Sequence, residues 1–185
     1  TWKLTATPLF ANNNLLLDLT PYVDKWEKKN DIDANIWNVM KQAGGSNKIY
    51  VMPWNIQVLY VYYRPSYFKR AGISVPKTYE EFLDAVKKCT MDTNGDGKTD
   101  VYGFGMRGGR NGHEPWGSFI HAAGGNFAKL DSPQAIKGMQ DFINLYKNGY
   151  VPPTATSDGF SEIMANFKSG LTAMTIHHTG SSADM

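Results

Sequence analysis

The 185-residue chain has a single cysteine, Cys89, which can close no internal disulfide and says little about redox compartment. No stretch approaches the roughly 18 to 20 unbroken apolar residues of a membrane-spanning helix, so no membrane span is expected. Charge of one sign is also missing. Nineteen Lys and Arg stand against 17 Asp and Glu, a formal net charge of +2, and no basic patch of the kind that neutralises phosphates is gathered anywhere, which argues against nucleic acid as a partner. The four histidines show no zinc spacing. His113 and His121 lie eight apart, while His177 and His178 are neighbours on an expected strand, where successive side chains face opposite ways. No G-x-S-x-G elbow occurs and no nucleophile with a nearby base can be assembled, so the chain does not read as an enzyme. It begins Thr1-Trp2-Lys3 without an initiator methionine or a leader, and it ends just after a strand pattern. The expectation is an internal piece of a longer protein.

Aromatic side chains are plentiful: nine Phe, ten Tyr and five Trp, with every Trp in the first 116 residues. Tryptophan is large and amphipathic and is rarely needed in such numbers to fill a core of this size, so some of these rings are candidates for ligand contact. Helical periodicity with caps predicts helices from Thr20 to about Lys29, from Ala34 to Ala43, from Pro65 to a stop at Gly72, and after the capping box Thr78-Tyr79-Glu80-Glu81. Further helices are expected near Trp116 to Ala123, from Ser132-Pro133 to Gly149, and over Ser157 to Ser169. Strands are expected at Lys48 to Met52, Ile56 to Tyr63, Val101 to Met106 and Leu171 to Ile176. Alternation of the two types predicts an α/β architecture.

Three motifs bear on chemistry. Gly103-Phe104-Gly105-Met106-Arg107-Gly108 spells the dinucleotide fingerprint, but Gly109 to Gly112 and Pro115 forbid the helix that should follow it, so the match reads as a coincidence. Asp92, Asn94, Asp96, Lys98 and Asp100 occupy the spacing of half a calcium loop, with Gly97 at the sharp turn and no glutamate at position twelve. That stretch reads either as a site for a structural calcium ion or as an Asx-rich turn; no other cofactor is expected. The third constellation pairs flat rings with planar polar groups: Trp54 with Asn55 and Gln57, and Trp116 with Glu114, with Arg107 and Arg110 nearby. A pyranose offers C–H groups to an indole and hydroxyls to carboxylate, amide or guanidinium partners, so the pairing suits a sugar. Packing is an equally available reading of each ring.

The runs Lys48-Ile49-Tyr50-Val51-Met52-Pro53, Leu59 to Arg64, Phe68 to Ile73 and Pro76 to Phe82 resemble extracellular solute-binding proteins of carbohydrate ABC importers, the maltose-binding-protein-like family. Leu9 to Leu19, Asp96 to Phe104, Ala122 to Gly125 and Phe167 to Met174 agree in order and spacing. The resemblance implies a periplasmic-binding-protein-like type II fold of two lobes, present in part: residues 1–58 as a partial first lobe leading into the hinge, and 59–185 as a second lobe lacking its C-terminal return. It also implies a non-enzymatic, extracytoplasmic carbohydrate receptor, lipid-anchored in its full-length form, delivering an oligosaccharide to the permease subunits of an ABC importer. Gln57, Glu114 and Trp116 then fall at ligand-contacting positions, with Trp54, Asn55, Arg107, Arg110 and His178 near the same loop ends. Two alternatives stay open: a carbohydrate-active hydrolase using Glu114 and a second carboxylate, and a calcium-stabilised adhesion or structural domain.

Overall fold

The computed structural model describes residues 4–55 and 57–184. By its internal contacts the chain divides into two units, Thr1–Ile56 and Gln57–Met185.

The first unit carries helices α1 (Thr7–Asn12), α2 (Thr20–Asp24) and α3 (Ala34–Ala43). Helix α3 has the predicted bounds because both ends are specified: the Asp33 carboxylate accepts the Asn35 amide at 2.8 Å, and Gly45 takes a left-handed conformation beyond the last turn. Its buried Trp37 and Met40 pack with Val23 and Ile49 in a small core, and Trp37 donates its indole N–H to the Lys29 carbonyl at 3.0 Å. Two expectations change here. Helix α2 ends at Asp24 rather than near Lys29, because Trp26, the next residue on its apolar face, stays 40% exposed and, with Lys25, Glu27 and Lys28 around it, holds no further turn on a core. Residues 48–52 form no strand. Ile49 instead pins the segment by donating to Thr20 Oγ1 at 3.0 Å and accepting from the Leu19 amide at 2.7 Å.

In the second unit, strand β1 (Leu59–Tyr63) is followed by α4 (Pro65–Ala71), α5 (Tyr79–Lys88), β2 (Tyr102–Gly105), α6 (His113–Ala122), α7 (Pro133–Lys147), α8 (Phe160–Lys168) and β3 (Thr172–His178). The sheet order is β1-β3-β2, with β3 antiparallel to β1 and parallel to β2. Strand β3 is therefore central, and its run Thr172 to His177 is buried on both faces. Ile56, expected to open the first of these strands, lies outside the described residues. Phe104, Phe119 and Phe142 form an edge-to-face column between sheet and helices, with centroids 5.9 and 5.1 Å apart. Cys89 is fully buried beside them, and burial pushes its thiol up to about 11, so it is inert filler. No helix among the described residues is long and apolar enough to cross a membrane.

The capping box that opens α5 forms as the sequence predicts: Thr78 Oγ1 accepts the Glu81 amide at 3.1 Å, while Glu81 Oε2 accepts the Thr78 amide at 3.2 Å. Thr78→Ala is expected to cost about 1 kcal/mol, read from the denaturant midpoint. Helix α6 starts at His113, earlier than expected, with Pro115 inside its first turn. Proline is tolerated there because first-turn amides have no intrahelical acceptor to lose. Helix α8 starts at Phe160 rather than Ser157, because Pro153–Thr156 forms a separate 3-10 turn ahead of it.

Candidate ligand-binding site

Because β2 and β3 run parallel, their carboxyl ends lie on the same side of the sheet, together with the amino ends of α6 and α8 and the residues entering β1. Ligands of open α/β sheets bind at this edge. Arg107 follows β2 by two residues, and its side chain is only 8% exposed. Its Nη1 donates to Glu114 Oε2 at 3.0 Å, its Nε donates to the Arg110 carbonyl at 3.2 Å, and the guanidinium lies 5.6 Å from the centre of the Phe160 ring. Glu114 stands in the first turn of α6, where a carboxylate also meets the positive end of the helix. Phe160, the first residue of α8, leaves 41% of its surface exposed.

Both histidines at the end of β3 converge on that ring. His177 lies 4.0 Å from it centre to centre, and His178 stacks nearly parallel at 5.1 Å. This corrects the expectation that neighbouring strand residues point apart. The alternation lapses at His178, the last strand residue, where the chain leaves the ladder for a 3-10 turn. Burial holds His177 neutral to lower pH than an ordinary histidine, and its Nε2 must carry the proton to reach the Phe160 carbonyl at 3.5 Å. Gln57 joins at the far side: a Cβ at Gly180 would sit 3.0 Å from His178 Nδ1 and 3.3 Å from Gln57 Nε2. Gly180→Ala is accordingly expected to push both side-chain ends aside, weakening ligand binding several-fold while leaving the melting temperature nearly unchanged; calorimetric titration and a thermal melt check the two parts.

The structure thus brings together four of the sequence candidates, Gln57, Arg107, Glu114 and His178, with Arg110 contributing its carbonyl. Phe160, which links them, carries no signal of its own in the sequence, where its spacing with Ile163 and Phe167 is that of an ordinary apolar helix face. Trp116 is not in this group. Two residues after Glu114 on a helix, it points the other way and packs edge-to-face on Phe127 at 5.4 Å, lining a groove of about 460 Å³ with Ile120, Met139 and Ile143. Trp54, 86% exposed, and Asn55, also exposed, belong to the first unit.

The Asp92 to Asp100 loop closes on its own hydrogen bonds. Asp92 accepts from the amides of Asn94, Gly95 and Gly97, Asn94 Oδ1 from the Asp96 amide, Asp96 from the Lys98 amide, and Asp100 from the amide and hydroxyl of Thr93. Among the described residues no three His, Cys, Asp or Glu side chains converge as a metal site. These bonds hold Asp92 and Asp100 below the usual carboxylate value, chiefly through Gly95 and Gly97 for the first and Thr93 for the second. A lowered folded value means the stabilisation is complete above about pH 4, the unfolded value, and fades as pH falls through the folded one. Asp92→Asn is therefore expected to lower the melting temperature at pH 6, with the difference from the unmodified protein shrinking as the pH is taken down through the acid range below about 4, in a series of thermal melts.

The family model for bacterial extracellular solute-binding proteins matches residues 2–185. The chain belongs to that family. Its solved neighbours include a solute-binding protein from Thermotoga lettingae bound with α-D-tagatose, 26% identical, TM-score 0.79, covering 96% of this chain and 47% of the other. Maltose-bound MalE3 from T. maritima is 22% identical with TM-score 0.76, covering 95% and 44%. A sugar transporter protein from Arthrobacter chlorophenolicus with bound laminaribiose is 19% identical with TM-score 0.76, covering 96% and 45%. No curated protein matches the sequence. The chain thus has the α/β fold of the type II periplasmic-binding-protein-like proteins and spans a little under half the length of these structures. The family and these neighbours are binding proteins rather than enzymes, and the family is extracytoplasmic.

Proposed function

We propose that this protein is a carbohydrate receptor that binds an oligosaccharide and delivers it to the permease of an ABC importer, held at the outer surface by a lipid anchor in its full-length form. The observation that carries the reading is the continuous face from Gln57 through His178, Phe160 and Arg107 to Glu114 at the ligand edge of the sheet. It offers an exposed aromatic ring for sugar C–H groups, with an amide and a carboxylate for hydroxyls. Neighbours crystallised with tagatose, maltose and laminaribiose support the same ligand class. The test is calorimetric titration of the protein with maltose, laminaribiose, α-D-tagatose and D-mannitol. Saturable heat with at least one is expected, and a flat trace with all four would count against the reading.

A further inference from the structure

The charges around this face are already matched within the chain. Arg107 is buried, and its guanidinium is occupied by Glu114 at 3.0 Å. The positive amino end of α6 meets the same Glu114, and that of α8 is closed by Glu162, whose Oε2 accepts the Gly159 amide at 2.9 Å. Asp158, a buried carboxylate of these loops, is committed to the Thr154 hydroxyl at 3.1 Å and the Asn166 amide at 3.0 Å, whereas the Glu114 side chain is 38% exposed. His177 is buried against the Phe160 ring, whose face carries partial negative charge. The remaining groups near the loop, Arg110 and His113, are exposed, where a charge is screened by water and salt.

We propose, resting on the receptor reading, that the Arg107–Glu114 pair sets the ligand class: the site takes uncharged sugars or sugar alcohols and rejects counterparts bearing a carboxylate. A ligand carboxylate set down on Phe160 would face Glu114 and the π-face, and Arg107, the one buried cation of the site among the described residues, already has a partner. Neutral hydroxyls incur no such penalty, and they find donors and acceptors in Gln57, His178 and Glu114. The Glu114 side chain keeps 38% of its surface exposed, so water screens part of that repulsion and the expected discrimination is about tenfold in affinity.

The test uses matched ligands differing by one carboxylate: maltose against maltobionate, and D-mannitol against D-mannonate, titrated into the protein and into Glu114→Gln. The protein is expected to bind the neutral member about tenfold more tightly than its acid. Glu114→Gln, which leaves Arg107 without its carboxylate, is expected to lose most of that preference, gaining several-fold for the acid while losing affinity for the neutral member. Equal affinities in the unmodified protein, or an unchanged ratio in Glu114→Gln, would overturn the proposal and leave the receptor reading standing. Silence with both members of both pairs, and with laminaribiose and tagatose, would remove the receptor reading and this proposal with it. The unmodified protein alone supplies the deciding ratio if the variant fails to fold.

Discussion

Gly103→Ala is expected to unfold the second unit, or to cost about 3 kcal/mol or more of its stability, since added core methyls already cost 1–3 where only side chains must yield. A Cβ at that position would lie 1.8 Å from the Val86 carbonyl oxygen, 2.6 Å from its carbon and 2.9 Å from its Cα. Those are backbone atoms in the last turn of α5, and the Val86 side chain is itself fully buried, so nothing can rotate away. The Gly103 amide also donates to Thr90 Oγ1 at 3.0 Å, fixing strand and helix at this separation. With a typical domain stable by only 5–15 kcal/mol, an effect of this size is a large fraction of the total. Urea denaturation followed by circular dichroism measures it, and a midpoint unchanged from the unmodified protein would mean that α5 and β2 do not approach so closely. The same contact explains why a dinucleotide-like glycine pattern occurs here: Gly103 serves helix–strand packing, and Gly108 and Gly109 let their loop lie against the carbonyls of Ala155 and Ser157.

Arg107→Met is expected to lower affinity for whichever saccharide binds by at least 30-fold, the scale of a binding hot spot, about 2 kcal/mol. Arg107 acts as a positioning residue. One guanidinium holds the Glu114 carboxylate, the Arg110 carbonyl and the Phe160 ring in register across α6, the preceding loop and α8. Methionine fills much of the volume but releases all three. Arg107→Lys keeps the charge without the fork, so it is expected to recover part of the affinity. Rescue by the conservative variant separates this role from a merely structural one: Arg107→Met and Arg107→Lys are expected to melt within a few degrees of each other while differing several-fold in affinity. Equal affinities in the two variants would argue against positioning by the guanidinium.

Elements whose ends carry their own chemistry were legible in the sequence. Asp33 and Gly45 frame α3, Pro65 and Gly72 frame α4, and Thr78 with Glu81 starts α5, because caps and left-handed glycines act locally. Elements decided by tertiary partners were not. Residues 48–52 have strand composition, but among the described residues no strand pairs with them and Ile49 bonds Leu19 and Thr20 instead, and α1 has no cap side chain to announce it. The site divides along the same line. Arg107, Glu114, Gln57 and His178 are visible as polar residues near expected strand ends. Phe160 is not, because helical spacing cannot distinguish an apolar residue turned to the core from one turned to a ligand. Trp116 shows the converse. A tryptophan two residues from a carboxylate looks like one recognition motif in sequence, yet helical geometry sends the two side chains to different surfaces.

If Gln57, His178, Phe160, Arg107 and Glu114 form one ligand surface, all five respond together to a bound sugar. A backbone and side-chain NMR titration with the tightest binder among maltose, laminaribiose, tagatose and mannitol shows whether they do. The largest shifts are expected on the Gln57 amide group, the Arg107 guanidinium, the Phe160 ring and the His178 ring, with Trp116 and Phe127 unmoved. Shifts centred on the Trp116–Phe127 groove, with that cluster silent, would contradict a shared ligand surface.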